Sequence, residues 1–229
     1  MPLSAPRVWI TRTQPGADAT AKRIRTMGWE PVVAPLLEVR PIKGAMGTAP
    51  APDTLVALAL TSPNTLDMIG SELLAYSHLP VFAVGDTTAD AARKIGLAHV
   101  QSAKGDIHAL ACLIARNIPA GRIFAPGALE PAGDLPALLP DHQVIRLPVY
   151  ETADTGIAHP DDITAILIHS PRAARLLCAR HPVRAEAIVT ISNAATTPLN
   201  GHFNGEIRTS PTPDEEGVLT TLGNAPSPV

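Results

Sequence analysis

Twice in this chain an apolar run stops on Ser-Pro and turns into a helical pattern, in LVALALTSPNTL (55–66) and again in AILIHSPRAA (165–174). Locally this is helix capping. A serine oxygen accepts from an otherwise unpaired backbone N–H, and proline fits the first helical position. Capping explains the spelling of each turn but not the recurrence, and the recurrence extends further. Ser62 and Ser170 lie 108 residues apart, Gly85 and Ser192 lie 107 apart, and Ser102 and Ser210 lie 108 apart. Pro35 and Pro148 add a fourth pair at 113. Order and spacing are both kept, so the chain reads as two similar halves. The alternative is a chance echo of ordinary turn chemistry.

The segments between these points fix the class. RVWIT (7–11) is strand-like, and DATAKRIRTMG (18–28) puts Ala21, Ile24 and Met27 near one helical face before Gly28. WEPVVAPLLEVRPI is extended and proline-punctuated, and a Gly/Ala/Pro-rich loop follows over 43–53. LVALALTS, PVFAVG and HVQSAKGD are each followed by a helical pattern, and RIFAPG, QVIRLPVYET, AILIHSP, AIVTISN and EIRTSPTPDEEGVLTTL continue the order. Strands and helices alternating at this spacing predict an α/β fold with parallel sheets.

Composition removes several functions. Lys+Arg 18 against Asp+Glu 21 gives a net charge of −3 with no basic run, and only 3% of residues are aromatic, so nucleic acid is not an expected partner. No apolar run approaches the ~18 residues of a membrane span, and MPLSAPRVWITR lacks a charged start followed by an apolar block. No membrane association is therefore expected, and the protein is expected in the cytoplasm as a monomer. Cys112 and Cys178 sit in helix-like apolar runs and are expected to be buried free thiols. There is no phosphate loop, no G-x-G-x-x-G after the first strand, no H-E-x-x-H and no G-x-S-x-G elbow. The eight histidines are scattered. No metal or cofactor is expected.

What remains is the set of strand-to-helix turns. Ligands of open parallel sheets sit outside the carboxyl ends of the strands, where helix N-termini offer free N–H groups to anions. Ser62, Asn64, Gly85, Thr87, Thr88, Gly105, Ser170, Ser192, Asn193 and Ser210 fall at such ends, with Arg12, Lys104 and Arg172 beside them. Thr61, Asp86 and Pro171 complete the same turns. Each of these has a simpler reading as a capping residue. Gly85 either lets a ligand approach the backbone or supplies a turn with positive φ.

Taken in order, VWITR (8–12), VVAPLLEV (32–39), LTSPN (60–64), FAVGDTTADAA (82–92), QSAKGD, LPVYET (147–152), IHSPRAA (168–174) and TSPTPDEEGVL (209–219) resemble the uroporphyrinogen-III synthase family over almost the whole chain. One turn departs from the family pattern. The second Gly-x-x-Thr appears as Ser192-Asn193-Ala194-Ala195, with Thr196 adjoining. The resemblance implies a linear hydroxymethylbilane substrate, cyclised with loss of water and inversion of the last pyrrole ring, and no cofactor. It aligns Tyr150 with the family's candidate proton donor. It also implies two similar α/β domains joined by a two-stranded β linker, with the active-site cleft between them. Residues 1–34 plus 155–229 would form one domain and 44–146 the other, with 35–43 and 147–154 as paired linkers. The repeat alone suggests instead two consecutive domains meeting near residue 119. The competing functional class is a binding module that closes on a small polyanion without chemistry. A receiver-like signalling domain would need a clustered acidic pocket that the strand ends lack.

Overall fold

The computed structural model describes residues 5–180 and 182–226. The chain divides into two compact units: residues up to Glu38 together with Ala153 onward form unit 1, and Val39–Thr152 form unit 2. The chain thus leaves unit 1, builds unit 2 and returns.

Unit 1 contains β1 (Arg7–Ile10), α1 (Gly16–Thr26), β2 (Glu30–Val33), then β9 (Ala165–Ile168), α6 (Pro171–Arg180), β10 (Ala187–Thr190), α7 (Asn193–Thr196), β11 (Glu206–Thr209) and α8 (Glu215–Leu222). Its five-stranded sheet has the order β11-β10-β9-β1-β2, with every pairing parallel. Unit 2 contains β4 (Ala57–Leu60), α2 (Pro63–Leu73), β5 (Val81–Ala83), α3 (Asp86–Lys94), β6 (Val100–Ser102), α4 (Ile107–Asn117), β7 (Arg122–Ala128), the short α5 (Leu135–Leu138) and most of β8 (Gln143–Asp154). Its six-stranded sheet runs β3-β8-β7-β4-β5-β6, where β3 spans Leu37–Pro41. The extended segments β3 and β8 link the two α/β regions, and both are also built into the unit-2 sheet.

Central strands explain the cores. β4 is buried at every position; Leu58 and Leu60 enter one apolar cluster while Ala57 and Ala59 enter another across the sheet. In β9, Ile166 and Ile168 face one cluster and Ala165 and Leu167 the other. A strand covered by helices on both faces reads as a continuous apolar run, because successive side chains alternate faces and both faces are dry. Cys112 departs from its expected burial: it is exposed on α4, while Cys178 is half-buried.

Each sheet has one point where the chain reverses its direction of travel. In unit 2 the chain passes β4→β5→β6 to one side, then returns to place β7 and β8 on the other side of β4. In unit 1, β1→β2 run one way and β9→β10→β11 the other, so the reversal falls between β1 and β9. Crevices open at such points, outside the carboxyl ends of the strands, because helices leave in opposite directions.

Candidate functional site

In unit 2 the crevice is open. A cavity of about 570 Å3 lies at the carboxyl ends of β4 and β7. Thr61, Ser62 and Asn64 border it from the β4–α2 turn, and Ala125, Gly127 and Ala128 from β7. Val84, Asp106 and Ile107 come from the neighbouring strand ends, and Arg146, Leu147, Tyr150 and Thr152 from β8. The Glu130–Gly133 loop covers another side and packs closely on α4: a Cβ at Gly133 would lie 2.8 Å from Ile107 Cδ1.

The strand β8 reaches this cavity through a local irregularity. It runs in register with β7 from Arg122↔Gln143 to Gly127↔Pro148, then shifts so that Ala128 meets Tyr150. Pro148 has no N–H to give the ladder, and a bulge is where a strand accommodates that loss and re-aims a side chain. Tyr150 is 5% exposed and packs in the unit-2 core, yet it lines the cavity. The chain has two tyrosines, which differ in one respect. The Tyr76 hydroxyl donates to Pro50 O at 3.0 Å, and burial pushes its pKa up. The Tyr150 hydroxyl has no partner among the described residues.

Two helix starts frame the site. Ser62 is the N-cap of α2 and accepts from Asn64 N at 3.2 Å, with Pro63 in the first helical position. Asp106 caps α4 by accepting from His108 N at 2.9 Å and Ala109 N at 3.0 Å. The Ala109 N–H is the main cause that holds its carboxyl below the usual range.

The other residues singled out in the sequence distribute around this centre. Gly85, Asp86, Thr87, Thr88, Lys104 and Gly105 lie at the ends of β5 and β6 but outside the cavity lining. Thr88 is 2% exposed, inside the first turn of α3. Gly85 has an extended φ of −151° and open space where a Cβ would stand, so the positive-φ reading does not hold there. Lys104 takes the positive φ instead, at 52°, and Gly105 beside it would place a Cβ 2.9 Å from that of Ala109.

Arg12, Ser170, Pro171, Arg172, Ser192 and Asn193 belong to unit 1. Ser170 caps α6 by accepting from Ala173 N at 3.1 Å, with Pro171 first in the helix. Arg172 has a polar partner. Ser192 precedes α7 without a side-chain cap bond. Ala195 is fully buried, and the Thr196 hydroxyl is bound to those of Thr190 (2.5 Å) and Thr209 (2.8 Å). Ser210 is 7% exposed and donates to Thr212 O.

At the unit-1 crevice three side chains converge on one carboxylate. At the end of β1, Arg12 Nη1 donates to Glu215 Oε2 at 2.5 Å, and at the end of β9, His169 Nε2 meets the same oxygen at 3.2 Å. Thr20 also donates to Glu215. His169 Nδ1 is buried without a partner among the described residues. Burial, the largest influence on Glu215, pushes its pKa up, but the bonds from His169 and Thr20 and the charges of His169 and Arg12 together hold it below the ordinary value. The repeat makes the comparison direct: Asp214 caps α8 as Asp106 caps α4, 108 residues earlier, so Glu215 stands where Ile107 borders the unit-2 cavity. A wider depression near the amino ends of the unit-1 strands is lined by Asp161, Asp162 and Glu186 together with His159 and Arg184, an unfavourable surface for a polyanion. Among the described residues no three His, Cys, Asp or Glu side chains gather so as to hold a metal ion.

Sequence reasoning missed Arg146, Asp106, Thr152 and the Gly127–Gly133 wall. Arg146 was within reach of it, on the same strand as Tyr150, but its place in the cavity depends on the register of β8 against β7.

The comparisons with known proteins agree on the family. A family model described as Uroporphyrinogen-III synthase HemD matches residues 18–220. No curated protein sequence matches. Among solved structures, uroporphyrinogen-III synthetase from Helicobacter pylori superposes with a TM-score of 0.67 at 15% identity, covering 96% of this chain and 98% of that one. A mutant uroporphyrinogen III synthase from the extremely thermophilic bacterium Thermus thermophilus gives 0.56 at 14% identity, covering 95% and 97%. At such identities the structures speak for the fold, and the family model, matching nearly the whole sequence, speaks for descent. The chain belongs to the uroporphyrinogen-III synthase family.

Proposed function

We propose that this protein converts linear hydroxymethylbilane to uroporphyrinogen III, with loss of water and inversion of the last pyrrole ring, using no metal or organic cofactor. The observation that carries the reading is Tyr150: a phenol without a partner among the described residues, in a mostly apolar cavity beside the capped start of α2. A phenol can donate a hydrogen bond to a departing hydroxyl without itself carrying charge. The substrate's terminal pyrrole nitrogen pushes out the hydroxyl, which leaves as water with a proton passed from the Tyr150 phenol, and the proton lost from the closing carbon at the end of the reaction restores that phenol. The resulting azafulvenium is attacked at the substituted carbon to give a spiro intermediate, whose cleavage and reclosure invert the ring. The protein's larger task is to hold one folded conformer so that direct closure does not compete.

At about 570 Å3 the cavity has the size of a small-molecule site and takes an end of the bilane, not its whole length. We assign carboxylate contacts to the donors of the strand-end turns: Thr61, Ser62 and Asn64 at the cavity, then Gly85, Thr87, Thr88, Lys104, Gly105 and the backbone N–H of Asp86 in unit 2, and Arg12, Ser170, Arg172, Ser192 and Asn193 in unit 1, where Pro171 shapes its turn without donating. The enzyme is read as a cytoplasmic monomer.

The test is turnover. Freshly prepared hydroxymethylbilane, supplied with chelator and no cofactor, is expected to yield mainly the type III isomer. Chromatography showing only the unrearranged type I isomer, which forms spontaneously, would leave the protein as a binding module.

A further inference from the structure

We propose that Arg146 is the carboxylate anchor of the Tyr150 cavity and that it sets where the reacting end of the substrate sits relative to the tyrosine. The inference rests on the reading of the substrate as a polycarboxylate.

Among the described residues, Arg146 is the only cationic side chain lining the cavity. It is exposed, and it makes no hydrogen bond or ion pair with the described residues. The two carboxylates in the lining are committed elsewhere: Asp106 caps α4, and Glu130 has its own polar partner. Other named cations do not offer the same thing. Arg12 is bound to Glu215, and Lys104 lies outside the lining. A carboxylate entering a cavity walled by Val84, Ile107, Ala125, Leu135 and Leu147 loses solvent, and it is stabilised there only if a charged donor replaces the water.

Position makes the arginine a ruler as well as a counter-charge. Arg146 pairs with Ala125 before the β8 irregularity and Tyr150 with Ala128 after it. Their Cα atoms are at most ~13 Å apart at ~3.3 Å per strand residue, and both side chains reach into the same cavity. A pyrrole ring with one acetate or propionate arm is shorter than that limit, and two long side chains lining one cavity can close the difference. A carboxylate held at Arg146 therefore leaves the hydroxymethyl end of that ring, or of its neighbour, on the side of the phenol. A guanidinium offers a planar pair of donors to both carboxylate oxygens, which fixes direction as well as distance.

Arg146→Ala is expected to raise KM by about tenfold to a hundredfold, the usual worth of a charge-assisted bond, with kcat changed less than about threefold. Arg146→Lys should fall between, keeping the charge but losing the two-point grip. Uroporphyrin III, titrated by its own fluorescence, should bind more weakly to the Ala variant by a similar factor. Because the side chain is exposed and makes no bond to the described residues, the melting temperature should not move. Arg116→Ala, which removes an exposed charge on α4 away from the cavity, controls for general electrostatics. Unchanged KM and uroporphyrin affinity in Arg146→Ala would overturn the proposal, as would equal effects from Arg116→Ala. Failure of the wild-type protein to form the type III isomer would defeat the proposed activity instead, while the uroporphyrin titration would still decide the role of Arg146.

Discussion

The two tyrosines give the sharpest view at the scale of single residues. Both lie in the unit-2 core at 4–5% exposure, so burial does not tell them apart. The hydroxyls do, because Tyr76 spends its donor on Pro50 O and Tyr150 finds no acceptor among the described residues. A buried ring whose polar tip is left for a cavity is an expected arrangement for a group that meets a ligand. Tyr150→Phe is therefore expected to keep the melting temperature and to lower kcat by roughly tenfold to a few hundredfold, within the range of general-acid assistance. On the proposed mechanism the type III isomer should still dominate, because that proposal separates folding of the bilane from proton donation. Unchanged turnover in a folded variant would take Tyr150 off the catalytic list and leave positioning as the whole mechanism.

At the scale of elements, α8 shows what one carboxylate can do for a helix. Glu215 in its first turn is bound by Arg12 after β1, Thr20 in α1 and His169 after β9, so one side chain joins the helix to three other segments. Gly217 allows the approach, since a Cβ there would overlap Ser210 Oγ and Thr212 Oγ1 and lie 2.8 Å from Thr212 O. The folded Glu215 carboxyl titrates below its ordinary value, so its contribution to stability is fully present above that value and is lost as pH falls through the folded one. Glu215→Gln is expected to cost on the order of 1–3 kcal/mol near neutral pH. Thermal melts taken from about pH 7 down to about pH 3 should show the gap between wild type and variant closing at the acid end. A gap that stays constant with pH would mean the carboxylate contributes by shape alone. How much of this was legible in the sequence differs between elements. The Ser-Pro caps of α2 and α6 were, since a cap needs only its own neighbours in sequence. The β8 irregularity was half legible, because Pro148 signals an interrupted ladder but not which residue of β7 it faces. The Arg12–Glu215 pair was not, because two residues so far apart in sequence meet only after β1 has been inserted beside β9.

At the scale of the whole molecule, both sheets follow one plan entered at different points. Reading across unit 2 gives β6-β5-β4-β7-β8, and across unit 1 β11-β10-β9-β1-β2. The strands β4, β5 and β6 match β9, β10 and β11 at the offset of about 108, whereas the partners of β7 and β8 are β1 and β2 at the start of the chain. The repeat keeps an offset near 108 over those three strands and shifts to 113 at the Pro35–Pro148 pair, where Pro35 follows β2 and Pro148 lies in β8. The different entry points explain why spacing alone pointed to a boundary near residue 119 that no sheet respects, since β7 pairs with β4 across it. The stability of fragments follows from this wiring. Residues 39–152 keep β4 to β8, their helices, both faces of the β4 core and every residue lining the cavity. Residues 1–118 keep β1 and β2 without β9, and β4 without β7, so both of their sheets end on strands whose apolar faces and ladder groups have lost a partner. Expressed alone, 39–152 is expected to unfold in urea as a single cooperative transition and to hold uroporphyrin III weakly, with binding reduced further by Arg146→Ala. The 1–118 fragment is expected to be unfolded or aggregated, with no transition to measure. A cooperative 1–118 fragment beside an unfolded 39–152 would mean that the contacts closing each sheet matter less than the order of the segments along the chain.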